Sequence, residues 1–194
     1  MAENILVYCG ASAGKHIAYR EAAETLGRLM SEKNIRLVYG GGSIGLMGIV
    51  ANSVLNNGGV VTGIIPHFLN TKEVGHKQVS DMRITQSMHE RKALMEKECD
   101  GVIALAGGFG TFDELFEMLT WAQLGLHEKP IILVNTRNYY EHLLKQLDVM
   151  VEEGFLSASN RRLVKVAADP EEALLLIEEP VQKSEAKWLS EGQN

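Results

Sequence analysis

The densest concentration of potential chemistry lies at Gly107-Gly108-Phe109-Gly110-Thr111, followed three residues on by Glu114. A glycine-rich turn that opens a helix leaves backbone N–H groups unpaired and aims them, with the helix dipole, at an anion. Thr111 is placed to cap that helix and to offer its hydroxyl to a ligand. Glu114 falls on the same helical face, near the same mouth. The spacing Thr111-x-x-Glu114 also fits a capping box, in which the glutamate only reaches back to its own backbone, and spacing alone does not separate the two. A second concentration lies between Met88 and Cys99, where one helical face reads Met88, Arg91, Lys92, Met95, Cys99. Two cations on an otherwise apolar stripe need partners or a route to water. Either their stems lie along the core with the heads in solvent, or the stripe opens into a glycine-lined cleft and gives an anionic ligand its positive charge.

Two more glycine clusters follow β-like runs, Cys9-Gly10-Ala11-Ser12-Ala13-Gly14 and Gly40-Gly41-Gly42-Ser43-Ile44-Gly45. Gly40, Gly42 and Gly45 match the G-x-G-x-x-G of dinucleotide binders, but the acid that the pattern wants about 20 residues on is missing; Ile65-Pro66-His67-Phe68 stands there. A P-loop beginning at Gly10 fails, because Lys15 and His16 occupy the places of its second glycine and its lysine. Each cluster taken singly also fits a tight turn with close helix–strand packing. Ser12, Ser43 and Ser87 can contact a ligand, yet none has the G-x-S-x-G context of an activated nucleophile. His67, His76, His89 and His127 show no zinc-site spacing, so no metal is expected. Cys9 and Cys99 are too few for a disulfide framework and read as buried small apolar residues.

The elements that must carry these residues alternate between short β-branched runs and amphipathic stretches, the pattern of βαβ units around a parallel sheet. Strands are expected at Ile5–Tyr8, Arg36–Tyr39, Val60–Ile65, Arg83–Thr85, Val102–Leu105, Ile131–Asn135 and Leu163–Val166. Helices are expected at Ile17–Lys33, Ile44–Asn57, Met88–Cys99, Phe112–Leu124, Tyr139–Glu153 and Glu171–Glu178. The last has a well-marked start in Asp169-Pro170-Glu171-Glu172, a cap residue followed by proline at the first helical position and early acids. The reading is one Rossmann-like, doubly wound α/β domain over residues 1–181, with a mostly parallel sheet and helices on both faces. A mobile polar loop is expected over His67–Met82, and a frayed tail over residues 182–194. In such a sheet ligands bind outside the carboxyl ends of the strands, where all three glycine clusters fall.

Composition narrows the function classes. The 19 glycines exceed an average share of about 7% while the 4 prolines fall below about 5%, so the glycine calls for a specific use. With 19 Lys+Arg against 25 Asp+Glu the net charge is −6, which argues against a nucleic-acid backbone as partner but leaves small anions open where positive charge is local. No stretch approaches the roughly 18 apolar residues of a membrane span, and Met1-Ala2-Glu3-Asn4 lacks the basic start of a secretory signal, so a cytoplasmic location is expected.

Three segments together resemble the LOG ("lonely guy") proteins, cytokinin riboside 5′-monophosphate phosphoribohydrolases often mislabelled as possible lysine decarboxylases. They are Val38-Tyr39-Gly40-Gly41-Gly42-Ser43-Ile44-Gly45-Leu46-Met47-Gly48, Ser87-Met88-His89-Glu90-Arg91-Lys92, and Gly107-Gly108-Phe109-Gly110-Thr111-Phe112-Asp113-Glu114 with Thr120-Trp121-Ala122-Gln123-Leu124-Gly125. The resemblance runs from about Ile5 to Ala168. The family's signature PGGxGTxxE has Ala106 in place of its leading proline here, a change that relaxes the turn without removing a contact, since proline has no N–H to offer. The resemblance implies hydrolysis of the N-glycosidic bond of a nucleoside 5′-monophosphate, AMP or an N6-substituted cytokinin nucleotide, to free base and ribose 5-phosphate. It implies no metal or organic cofactor, and a homodimer with the site near the subunit interface. Arg91 and Glu114 take the catalytic positions; Ser12, Gly41, Gly42, Met88, Lys92, Gly107, Gly108, Phe109, Gly110 and Thr111 are the expected substrate-binding residues. The competing readings are a non-catalytic nucleotide or molybdenum-cofactor carrier of the same fold, and a pyridoxal phosphate decarboxylase built on Lys92.

Overall fold

Seven strands form one sheet in the order β4-β3-β2-β1-β5-β6-β7, with every neighbouring pair parallel. They are β1 (Asn4–Tyr8), β2 (Arg36–Tyr39), β3 (Val61–Pro66), β4 (Asp81–Thr85), β5 (Gly101–Ala104), β6 (Ile131–Val134) and β7 (Val164–Ala167). The computed structural model describes residues 2–70, 75–79 and 81–181. The expected tail at 182–194 and part of the expected loop over His67–Met82 lie outside the described residues.

Each expected strand is present, within a residue or two at its ends. Alternation decides what each strand faces. In β1, Ile5 and Val7 join the side chains of α1 (Ile17–Glu32), α2 (Gly45–Asn56) and α8 (Pro170–Leu176) on one face of the sheet. Leu6 and Tyr8 point the other way, into the core made with α4 (Met88–Lys97), α5 (Phe109–Gln123) and α6 (Glu141–Glu152). Short helices α3 (His67–Leu69) and α7 (Ala158–Arg161), and a 3-10 turn at Thr136–Asn138, complete the chain. The start of α8 follows its sequence signal: Asp169 accepts the Glu172 N–H at 2.9 Å and Pro170 takes the first helical position.

One boundary differs in a way that matters. Helix α5 begins at Phe109, three residues before the expected Phe112, because Gly108 adopts the extended cap conformation (φ −96°, ψ −155°) and the glycines themselves supply the first turn. Helix α4 ends at Lys97, short of Cys99. Strand order reverses between β1 and β5, and a crevice lies at the carboxyl ends of the strands around this point.

Candidate active site

The crevice is a cavity of about 690 Å³ lined by all three glycine-rich turns. Gly10 ties the turns together: its N–H donates to the Ala106 carbonyl at 3.0 Å, and its own carbonyl accepts from the Leu46 N–H at 2.9 Å. The turn after β5 is crowded, since a side chain carbon at Gly107 would fall 2.0 Å from Thr111 Oγ1. Neither the Gly107 nor the Gly108 N–H finds an acceptor among the described residues, so the entrance to α5 presents free donors at the cavity. Thr111 does not cap the helix as expected; it is the third residue of α5, buried, with its hydroxyl against Gly107. The capping box therefore falls away as an account of Glu114.

Glu114 instead meets Arg91. The amino terminus of α4 is fixed by Ser87, whose Oγ accepts the Glu90 N–H at 3.1 Å, while the Glu90 carboxylate accepts the Gln86 N–H at 2.7 Å. One turn on, Arg91 runs beneath the sheet's carboxyl edge, 7% exposed. Its Nε donates to the Ile64 carbonyl (3.1 Å) and its Nη2 to the Gly40 carbonyl (3.2 Å), and its Nη1 lies 3.3 Å from Glu114 Oε1. A buried charge needs such partners, and the guanidinium fork takes three at once. A Cβ at Gly40 would lie 2.1 Å from Arg91 Nη2, so any other residue there would displace the guanidinium. Burial pushes the Glu114 carboxyl up to about 7, against the opposing pull of the Arg91 charge.

The other expected site residues separate into two groups. Ser12, Gly42, Phe109, Gly110 and Thr111 line the cavity with Gly107, Gly108, Arg91 and Glu114. Ser12 Oγ accepts the Gly14 N–H at 3.3 Å, and Phe109 stands at the rim, 98% exposed. Gly41, Met88 and Lys92 do not line it. Gly41 faces away and gives its carbonyl to the His76 N–H at 2.9 Å. Met88 packs its sulfur 3.8 Å from Arg91 Nη1. Lys92 pairs with Glu117 at 3.0 Å and Asp113 at 3.3 Å, since the 100° step from Arg91 turns it toward the flank of α5. Only one of the two stripe cations therefore reaches the cleft.

Sequence reasoning missed Tyr19 and Tyr139, which also line the cavity and pack edge to face at 5.8 Å. Tyr139 donates its hydroxyl to the Gly107 carbonyl. Its position just beyond β6, on the same sheet edge as the glycine turns, was the available signal. Among the described residues, no group of three or more His, Cys, Asp or Glu is arranged to hold a metal ion, and no helix is long and apolar enough to cross a membrane.

A doubly wound parallel sheet with its cleft at the reversal of strand order makes this a Rossmann-like α/β protein. Residues 47–177 match the family model described as "Possible lysine decarboxylase". The chain is 45% identical over 183 residues to cytokinin riboside 5′-monophosphate phosphoribohydrolase LOG1 of Arabidopsis thaliana, covering 94% of this chain and 86% of that protein. It is 47% identical over 175 residues to cytokinin riboside 5′-monophosphate phosphoribohydrolase LOG3 of the same plant, covering 90% and 81%. The chain belongs to this family, that of the LOG phosphoribohydrolases. The molybdenum cofactor binding protein of Rippkaea orientalis shares the fold, with a TM-score of 0.66 at 22% identity over 90% of this chain and 93% of that one.

Proposed function

We propose that this chain hydrolyses the N-glycosidic bond of a nucleoside 5′-monophosphate, AMP or an N6-substituted AMP, releasing the free base and ribose 5-phosphate without a metal or organic cofactor. The observation that carries this reading is the Arg91–Glu114 pair, set in a cavity whose other wall is the donor-rich entrance to α5. The 5′-phosphate is assigned to that entrance, where free N–H groups and the helix dipole favour an anion. The ribose then lies toward Glu114.

Breaking the ribosyl bond builds positive charge on the sugar ring, which a nearby carboxylate stabilises. The overall reaction adds hydroxide to C1′ and a proton to the departing base. A carboxyl whose affinity for protons is raised to about 7 is suited to both halves: Glu114 takes the proton as water attacks and holds it for return to the leaving base or to solvent. Arg91 stays protonated and serves as fixed positive charge and donor.

The cytoplasm is the proposed location, in keeping with the free thiols of Cys9 and Cys99. A homodimer is proposed, with the exposed apolar side chains of Phe109, Leu124 and Leu126 as candidates for its interface. A decarboxylase using pyridoxal phosphate needs a lysine in the cavity, and no lysine lines it among the described residues. Purified protein incubated with AMP and with N6-isopentenyl-AMP, followed by chromatography of the products, tests the proposal. Free base and ribose 5-phosphate in equal amounts is the expected result. Tight nucleotide binding without release of base from any nucleotide would overturn it in favour of a carrier.

A further inference from the structure

The cavity turn is gripped by two adjacent tyrosines, one lining the cavity and one buried behind it, that the reaction itself does not call for. Tyr140 is fully buried and donates its hydroxyl to the Leu105 carbonyl at 2.6 Å, and Tyr139 donates to the Gly107 carbonyl. Between these, the Ala106 carbonyl accepts from Gly10. Three consecutive carbonyls of one turn are thus held by three separate donors. A buried tyrosine hydroxyl always seeks an acceptor, so Tyr140 alone has an ordinary explanation. Tyr139 does not share it: 38% exposed, it can satisfy its hydroxyl in water, yet it bonds to the same turn two residues further on.

The backbone that delivers the tyrosines is itself unusual. Arg137 and Asn138 both adopt left-handed conformations, with φ of 56° and 58°, which L-residues avoid unless the surroundings impose them. Asn135 anchors the bend, its Oδ1 accepting the Tyr140 N–H at 2.7 Å and its carbonyl the Asn138 N–H at 3.0 Å. The rings brace one another, Tyr139 against Tyr140 at 5.1 Å and Tyr19 against Tyr139 at 5.8 Å.

A peptide unit is planar and trans, so fixing a carbonyl fixes the N–H on its far side. Holding the Gly107 carbonyl sets the direction of the Gly108 N–H; holding the Ala106 carbonyl sets that of Gly107. Neither donor has an acceptor among the described residues, and both residues line the cavity. We infer that Tyr139, its ring braced by Tyr140, is a positioning residue that preorganises the Gly108 N–H of the Leu105–Gly108 turn for a phosphate monoester, and so determines selection for the 5′-phosphate. The inference rests on the phosphate lying at the entrance to α5.

Replacing each tyrosine by phenylalanine, singly and together, removes the hydroxyls and keeps the rings. Calorimetry with ribose 5-phosphate and with adenosine separates the phosphate from the rest of the ligand. In Tyr139→Phe and in the double variant, ribose 5-phosphate is expected to bind about three- to tenfold more weakly, the loss of one ordinary hydrogen bond, while adenosine stays within about twofold. KM for AMP should rise by a similar factor with kcat within about twofold. Equal weakening of both ligands, or no change in either, overturns the inference. Ribose 5-phosphate binding needs no turnover, so a protein inactive on AMP would refute the hydrolase reading and leave this test intact. Tyr139→Phe also keeps the buried Tyr140 bond, which guards against a folding defect in the double variant.

Discussion

Replacing Gly40 by alanine is the most informative perturbation of the proposed catalytic pair, because it substitutes neither charged residue. The added Cβ would lie 2.1 Å from Arg91 Nη2 and 3.3 Å from its Cζ. Ordinary contact needs about 3.5 Å, so the guanidinium must retreat by more than about 1 Å. That displacement breaks the 3.2 Å bond to the Gly40 carbonyl and draws Nη1 away from Glu114. A hydrogen bond to a charged group contributes about 1.5–3 kcal/mol, and for a domain of this size each kcal/mol moves Tm by about 2–4 °C. The expected loss is therefore roughly 3–12 °C, read by differential scanning calorimetry. Misplacing a catalytic group by about 1 Å costs on the order of a hundredfold in rate, so kcat/KM for AMP should fall by about that factor. A double-mutant cycle isolates the cause: in an Arg91→Ala background the clash has no partner, and Gly40→Ala should cost little more. Equal losses in the two backgrounds, or a single variant within about 1 °C and twofold of wild type, would refute the geometry argued for Arg91.

Glu114→Gln should lower kcat with AMP by at least about a hundredfold while ribose 5-phosphate binding stays within about threefold, since the anion site is built from backbone donors; normal turnover would remove Glu114 from the mechanism. With Glu114 titrating at about 7, kcat/KM is expected to fall tenfold per pH unit below that point as the carboxylate takes up its proton, and a flat profile from pH 5 to 8 would contradict the carboxylate role. The same group makes a stability prediction of definite sign. The folded chain holds this proton more tightly than the unfolded chain, so stability is fullest below the ordinary value of 4.5 and declines as pH rises toward 7. Glu114→Gln lacks that decline, and its Tm relative to wild type should rise between pH 5 and pH 8, which thermal melts at the two values will check.

The strands and their order of appearance were legible because a parallel sheet buried on both faces writes continuous apolar runs, such as Ile131–Val134, into the chain. The candidate site was legible where residue type and spacing carried a signal: Arg91 stood out as a cation on an apolar helix face, and Glu114 by its spacing from the glycine-rich turn and Thr111. Periodicity could not reveal the start of α5, because glycines at 108 and 110 carry no hydrophobic signal and a helix opening on them looks like loop. It also could not separate Arg91 from Lys92. Adjacent residues on a helix differ by 100°, and whether the second cation faces the cleft or α5 depends on where Asp113 and Glu117 sit in space. Tyr139 escaped for a different reason. Its importance lies in a backbone bend at Arg137 and Asn138, where asparagine favours the left-handed conformation but arginine gives no such signal.

The arrangement of the pair also explains how one carboxyl can change charge during a reaction without disturbing its surroundings. Arg91 is anchored by two main-chain carbonyls, that of Ile64 within β3 and that of Gly40 in the turn that follows β2. Neither bond involves Glu114. Removing one partner of a buried ion pair ordinarily strands the other, at a cost of about 3–5 kcal/mol. Here the guanidinium keeps two of its three strong partners when Glu114 takes a proton, so the cost of neutralising the acid is smaller. Burial, which raises the proton affinity of Glu114, and the main-chain carbonyls, which hold Arg91 independently of it, act on different members of the pair. Their combination suits the proposed role, a carboxyl that exchanges a proton near neutral pH beside a cation whose backbone anchors do not depend on it.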